Sequence, residues 1–341
     1  MTEPAAGSGP ASGPARPLRV PPVVRQIGHR LLVLVGVLFA VSVLTFMLTS
    51  LLPGDPALQV LGTEDATPEA LERVRDELGL GEPLPLRYLD WLSGVVRGDF
   101  GSSYITNQPV AGEIANRAPV TLEIGALALA ISLLSIPLAV GSAHWVGRAF
   151  DKVTSTVSFG MLSVPTFVLA LVLIYTLAVE TSLLPATGWT RLTPFPENLA
   201  DNLRGAILPA LTLAIGNIAV LTRVLRTDML ATLQQDYLVM ARSMGVSTRR
   251  LLFVNALRPS SFTLLTVLGV QIGAMIGGAV IVETLFAVPG MGRLLVDAIF
   301  QRDLMVVQGV VLVMAASFVI VNFLADLAYL VVDPRLRSLN P

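Results

Sequence analysis

Six stretches of this chain carry no Asp, Glu, Lys or Arg: Leu31 to Leu52, Ile124 to Gly147, Val153 to Val179, Gly205 to Thr222, Ser260 to Val282 and Leu304 to Ala325. A charged side chain at mid-bilayer costs on the order of 3 kcal/mol even on lenient insertion scales. About 18 apolar residues in helical form cross a hydrocarbon core of roughly 30 Å. The six runs therefore predict an all-α polytopic membrane protein with six transmembrane helices. Composition agrees, with a mean hydropathy of +0.72 and 14% charged residues, against about 25% in soluble domains. The first run exceeds the roughly 7 to 15 residues of a signal-peptide core and lacks a small-x-small cleavage site, so it is expected to remain as a span.

Arginine sets the orientation. With the N-terminus inside, the cytoplasmic segments hold Arg16, Arg19, Arg25, Arg30, Arg148, Lys152, Arg223, Arg226, Arg242, Arg249, Arg250, Arg258, Arg335 and Arg337, 14 of the 23 basic residues. This bias predicts both termini inside. The net charge of −1 thus hides a basic inner side and an acidic outer side, which disfavours nucleic acid as a partner. The chain has no cysteine, so neither disulfides nor thiolate metal sites arise.

Residues 1–22 are rich in Pro, Gly, Ala and Ser and read as a disordered cytoplasmic tail ahead of a membrane domain over 23–341. The largest outer segment is Pro53 to Pro119. Thr67 followed by Pro68 opens a short amphipathic helix with Leu71, Val74 and Leu78 on one face and Gly79 as its stop; a second is expected around Tyr88, Leu89, Trp91, Leu92 and Val95. Such helices either pack at the surface, on the outer leaflet or over the spans, or receive a soluble partner. Thr181 to Arg204 and Ala287 to Asp303 read as shorter outer loops, the latter opening on the turn Val288-Pro289-Gly290.

Polar groups within the spans are few. Asn217 and Gln271 are either an interhelical hydrogen bond or part of a substrate path, and Ser132 and Ser135 are read the same way. Pro137 and Pro165 are expected to bend their helices. Asp326 is either a proton or ion site or half of a structural ion pair near the inner interface. Glu283, at the outer end of the fifth span, is expected to reach water. Gly269, Gly273 and Gly277 form a side-chain-free ridge that predicts close helix contact, within the chain or across a dimer.

The longest inner polar interval, RVLRTDMLATLQQDYLVMARSMGVSTRRLLFVNALRP from Arg223 to Pro259, has an internal pattern. Leu230, Leu233, Tyr237, Met240 and Met244 recur at steps of three and four and are expected on one helix face. Gly245 reads as a left-handed stop, and Ser247 as the cap of a second short helix through Leu251, Leu252 and Val254. The interval is either a basic helix-turn-helix or an ordinary charged loop.

Motifs for chemistry are missing. No G-x-x-x-x-G-K-[ST] phosphate loop, H-E-x-x-H or G-x-S-x-G occurs, and His29 and His144 stand alone. No catalytic residue, cofactor or metal ligand is expected. Two other classes remain as alternatives: a membrane enzyme using Glu283, Asp326 or outer carboxylates, and an ion-coupled transporter working alone.

Four stretches carry a resemblance: LTVLGVQIGAMIGGAVIVETLFAVPGMGRLLVDAIFQRDLMVVQGVV from Leu265 to Val311, GDFGSS at Gly98 to Ser103, SVPTFVLALVLIY at Ser163 to Tyr175 and VDPRLR at Val332 to Arg337. Together they resemble permease subunits of dipeptide and oligopeptide ATP-binding cassette importers. The resemblance implies a type I importer permease fold in the bacterial cytoplasmic membrane. It also implies that the polar interval over 223–259 is a coupling helix-turn-helix docking on an ATPase subunit. Leu233, Tyr237, Met240, Ala241, Arg242, Gly245, Leu257 and Arg258 would carry that docking. Val239, Met240 and Ala241 stand where the general importer motif begins Glu-Ala-Ala. The implied partners are a second homologous permease, two cytoplasmic ATP-binding subunits, an extracytoplasmic solute-binding protein, peptide cargo and membrane lipid. Related systems carry nickel, glutathione or haem.

Overall fold

A computed structural model describes residues 22–51, 56–61, 67–77, 79–191 and 198–332. The predicted tail over 1–22, apart from Pro22, and the VDPRLR ending after Val332 lie outside the described residues. Among the described residues every regular element is helical. In chain order they are α1 (Pro22–Leu51), α2 (Pro56–Leu61), α3 (Pro68–Glu77), α4 (Leu84–Val96), α5 (Val110–Ser132), α6 (Ser135–His144), α7 (Ala149–Ser163) and α8 (Thr166–Leu173), which continues as a π-helix over Ile174–Glu180. Then follow α9 (Leu199–Leu233), α10 (Asp236–Ser243), α11 (Thr248–Arg250) with a π-helical Leu251–Ala256, α12 (Leu257–Leu285), α13 (Met291–Gln301) and α14 (Leu304–Val332).

Five of these stretches are long and apolar enough to cross a membrane, and a sixth is counted if α7 and α8 are one span bent by 109°. That bend falls at Ser163–Thr166, where Pro165 cannot donate to the preceding turn. Pro137 acts more gently. It offers no N–H to the Leu133 carbonyl, which instead accepts from Ile136 N at 3.0 Å, and α5 gives way to α6 at this point. The two still form one span over Val110–His144. Helix α5 begins within the segment read as outer loop, because Glu113 and Arg117 sit in its first turns, ahead of the charge-free run.

Small residues are frequent at the helix contacts and many large apolar ones face outward, as expected where lipid rather than water surrounds a helix bundle. In α9, Ala206, Ala210, Ala214 and Ala219 are buried, while Leu122 of α5, Leu133 just after it and Val270 of α12 are exposed. One core joins Ile124 and Ala128 of α5 to Leu208 and Leu213 of α9 and Val282 of α12. A second joins Val140 of α6 to Leu225 and Met229 of α9 and to Leu238, Leu251 and Leu252. A third joins Val110 of α5 to Leu294 of α13 and Val310 of α14.

These contacts also sort the ends of the helices. The end of α1 meets the start of α14 through a hydrogen bond from Gln308 Nε2 to Thr49 Oγ1. The end of α14 meets the first half of α12, where a Cβ on Gly269 would touch Ala325. The start of α1, the end of α14 and the α10–α11 segment therefore share one side of the bundle, and α3, α4 and α13 lie on the other.

On that other side, Thr67 Oγ1 accepts from Ala70 N at 3.2 Å and so caps α3. Helix α4 leans along α1. The Tyr88 ring stands 6.3 Å from Phe39 and 5.5 Å from Phe46, its hydroxyl is 2.8 Å from Ser42 Oγ, and Trp91 lies 5.7 Å from Phe46. Of the two readings of these helices, packing over the spans describes this face of α4. The GDFGSS turn is fastened to the start of α14 by a hydrogen bond from Ser103 Oγ to Asp303.

Two expectations are corrected here. The segment Ala287 to Asp303 is not a plain loop but contains α13, whose apolar Met291, Leu294 and Ala298 are buried. Glu283 does not reach water and is 0% exposed. Its carboxylate accepts from Thr121 Oγ1 at 2.6 Å, Gly292 N at 2.7 Å and Arg293 N at 3.2 Å. The cause is α13 itself, which folds back and lays its first turn over the end of α12, so that its free amides face the carboxylate.

Candidate functional site

The polar interval Arg223 to Pro259 forms a hook. Helix α9 runs on to Leu233 and stops at Gln234–Gln235, and α10 starts anew at Asp236. Leu230, Leu233, Tyr237, Met240 and Met244 therefore do not share one continuous face, which corrects the expectation from their spacing. Leu230 and Leu233 pack partly buried against the inner core, whereas Tyr237, Met240 and Met244 are 51%, 63% and 68% exposed. Gly245, at φ +81°, makes the left-handed turn that an L side chain would strain. Ser247 sits at the cap position of α11 but makes no side-chain cap bond.

The hook is anchored from within. Leu238 and Ala241 on α10, and Leu251, Leu252 and Ala256 beyond it, are buried against α6 and α9. The Tyr237 hydroxyl reaches the Asn255 carbonyl at 3.4 Å, across the turn. Leu257 is partly buried against the same core. What remains outward is an apolar surface rimmed by cations. Tyr237, Val239, Met240, Met244, Phe253 and Val254 are exposed large hydrophobics, and Arg242, Arg249, Arg250 and Arg258 are exposed beside them. Sequence reasoning missed Val239, Phe253 and Val254 as members of this surface. Their signal was present as apolar residues in a polar interval, but a single helical period could not place them. An apolar patch with a charged rim suits reversible docking of a protein.

Next to the hook, Arg226 of α9 grips Asp151 of α7 with two bonds, Nε to Oδ1 at 2.6 Å and Nη2 to Oδ2 at 2.9 Å. Ser142 Oγ donates to Asp151 Oδ1 at 2.5 Å and Gly147 N to Oδ2 at 2.8 Å. Both carboxylate oxygens are thus doubly held, and α6, α7 and α9 are tied together beside the hook.

Asn217 and Gln271 meet. Gln271 Nε2 donates to Asn217 Oδ1 at 2.8 Å, and both line a cavity of about 260 Å³ that also touches Val164 and Thr166 at the 109° bend. Ser132 instead donates to its own helix, at Ala128 O. The glycine ridge divides. A Cβ on Gly269 would fall 2.6 Å from Ala325 Cβ, and one on Gly273 2.6 Å from the Phe318 ring, both on α14, whereas Gly277 meets nothing within 4 Å. Helix α13 packs against both α12 and α14. Asp326 lies on α14, but its side chain is outside the described residues. On the opposite side of the bundle, an open cavity of about 1090 Å³ between α3, α4, the end of α1 and the start of α14 has Glu72, Asp76, Glu82, Asp90 and Asp99 in its walls against Arg75 and Arg87. Among the described residues, no three His, Asp or Glu side chains come together in a way that could hold a metal ion.

The sequence matches two family models: a binding-protein-dependent transport system inner membrane component over residues 135–338, and the N-terminal membrane component of such systems over residues 23–125. A Brucella abortus protein named for a peptide transport system permease is 40% identical over 304 residues, covering 89% of this chain and 96% of the relative. A Sinorhizobium fredii protein with the name "Probable peptide ABC transporter permease protein" is 38% identical, covering 91% and 98%. The glutathione transport system permease protein of Escherichia coli is 36% identical, covering 92% and 99%.

Proposed function

The chain belongs to the binding-protein-dependent transport system inner membrane components, and from that membership we propose that it forms half of the translocation pathway of an ATP-driven importer of di- and oligopeptides. A second homologous permease supplies the other half, two ATPase subunits sit on the cytoplasmic face, and an extracytoplasmic binding protein delivers the cargo. The observation that carries this reading is the hook, whose buried residues fix it to the bundle while Tyr237, Met240 and Phe253 stay exposed behind a rim of arginines. The arginine distribution puts that side in the cytoplasm.

Mechanically, the hook is a lever. Closing ATPases press on α10, and Leu238, Leu251 and Leu252 transmit the push to α6, α9 and α12 through the core they share. The Arg226–Asp151 clamp carries α7 along. Packed helices respond to such a push by switching between discrete arrangements rather than by bending continuously. Alternation of access follows from a rigid-body shift of these spans, and the hydrolysis that drives it belongs to the partner subunits.

Peptides stand first as cargo because the Brucella and Sinorhizobium relatives are named for them. The Escherichia coli relative favours a second reading, glutathione, itself a small peptide. Reconstituting the chain with its second permease, ATPases and binding protein in proteoliposomes tests both. ATP-dependent accumulation of a labelled tripeptide is expected. Accumulation driven by an ion gradient without ATP overturns the reading, and a tripeptide signal abolished by equimolar glutathione shifts the cargo to glutathione.

A further inference from the structure

Three spans are polar or interrupted at one depth. Asn217 lies near the middle of α9 and Gln271 midway along α12, and the 109° break of the third span opens beside them. Irregular backbone persists at membrane depth only where protein buries it or a cavity receives it. Cavities bounded by broken helices at the midplane are where transporters hold cargo. Here the half-open cavity is about 260 Å³, and no charged side chain lines it.

The two amides are not spent on each other. Asn217 is 7% exposed, its Oδ1 accepts from Gln271, and its Nδ2 is buried without a partner. A side-chain amide carries two N–H donors and a carbonyl. A pair joined by one bond leaves an NH₂ on one member and a carbonyl on the other. Exchanging O and N in both amides only mirrors the arrangement, so the inventory does not depend on their assignment. A buried donor without an acceptor is costly to keep, and such groups call for an explanation.

We propose that the Asn217–Gln271 pair is a transient binding site for the main-chain peptide group of the cargo, an inference that rests on the peptide reading above. A peptide group presents one carbonyl and one N–H, the complement of what the pair leaves open. The Asn217 amide donates to the cargo carbonyl, and the Gln271 carbonyl accepts from the cargo N–H. Recognition of this kind ignores cargo side chains, which the apolar Leu162, Leu169 and Met275 walls accommodate. Without a charge in the cavity, the site prefers an internal amide to a free carboxylate or ammonium group.

The test uses the complete importer in proteoliposomes, saturated with loaded binding protein, and compares trialanine with its depsipeptide analogue, in which one amide N–H is replaced by an ester oxygen. The parent is expected to transport the amide about tenfold faster than the ester, the loss of one well-made hydrogen bond. In Asn217→Leu with Gln271→Met the ratio is expected to fall to about one; if that variant does not assemble, Gln271→Met alone is read in the same way. A helix-packing role lowers both rates and leaves the ratio unchanged, and that result overturns the proposal. A parent ratio of one overturns it as well, whatever the variants do. If the parent transports no tripeptide, the peptide reading itself fails. If it transports tripeptide with the same ratio in parent and variants, only this site fails.

Discussion

At the scale of single residues, close approach and buried polarity decide most. Gly273 faces Phe318 and Asn322 of α14 with no room for a Cβ. Gly273→Leu is expected to cost about 1–3 kcal/mol through overpacking, read as a lower melting temperature in detergent, whereas Gly277→Leu, facing open space, should leave it unchanged. The Glu283 carboxylate satisfies two backbone amides and a hydroxyl. Glu283→Ala orphans all three, each at about 1–3 kcal/mol, and should loosen α13 from α12, visible as faster hydrogen exchange in the first turn of α13; Glu283→Gln, which keeps a carbonyl acceptor, should be milder. The glycine ridge was legible in the sequence because its spacing is local. The burial of Glu283 was not, because the amides that bind it belong to a helix on the far side of a turn.

At the scale of elements, the hook is the part most open to test. Gly245→Pro removes the left-handed turn between α10 and α11, since proline fixes φ near −65°. In the assembled importer, ATP hydrolysis is expected to persist while uptake falls by about tenfold or more, a loss of coupling worth at least roughly 1.4 kcal/mol; matched uptake in variant and parent would remove Gly245 from the coupling element. Tyr237→Ala should act in the same direction. The clamp above the hook gives an independent handle. Asp151→Asn is expected to destabilise by less than the about 3–5 kcal/mol of a fully buried broken pair, because Arg226 keeps 25% of its side chain exposed. Exchanging the two residues, Asp151→Arg with Arg226→Asp, should recover part of the melting temperature. Gly245 and the flanking apolar steps allowed a helix-turn-helix but left an ordinary charged loop open, and only the family resemblance chose between them. That α10 is a separate helix from α9 could not be read, since the periodicity runs through Gln234–Gln235 without a proline or glycine to mark the stop.

At the scale of the whole molecule, the helical class and the candidate spans, five, or six if the bent α7–α8 pair is one span, follow from where charges are absent, because lipid makes a charge costly and an unpaired backbone group costlier still. Those penalties act along the chain, one segment at a time, so a linear reading suffices to find the spans, the hook between the fourth and fifth, and the family the chain belongs to. Which helices touch is a different matter. In lipid no hydrophobic force selects partners, and the choice falls to steric fit and a few polar contacts between residues far apart in sequence. The grip of Arg226 on Asp151, the meeting of Asn217 with Gln271, the packing of Gly269 and Gly273 but not Gly277 against α14 and the closing of α13 over Glu283 each depend on such fits. Only the folded arrangement decides them, because each joins segments whose separation along the chain carries no trace of their distance in space.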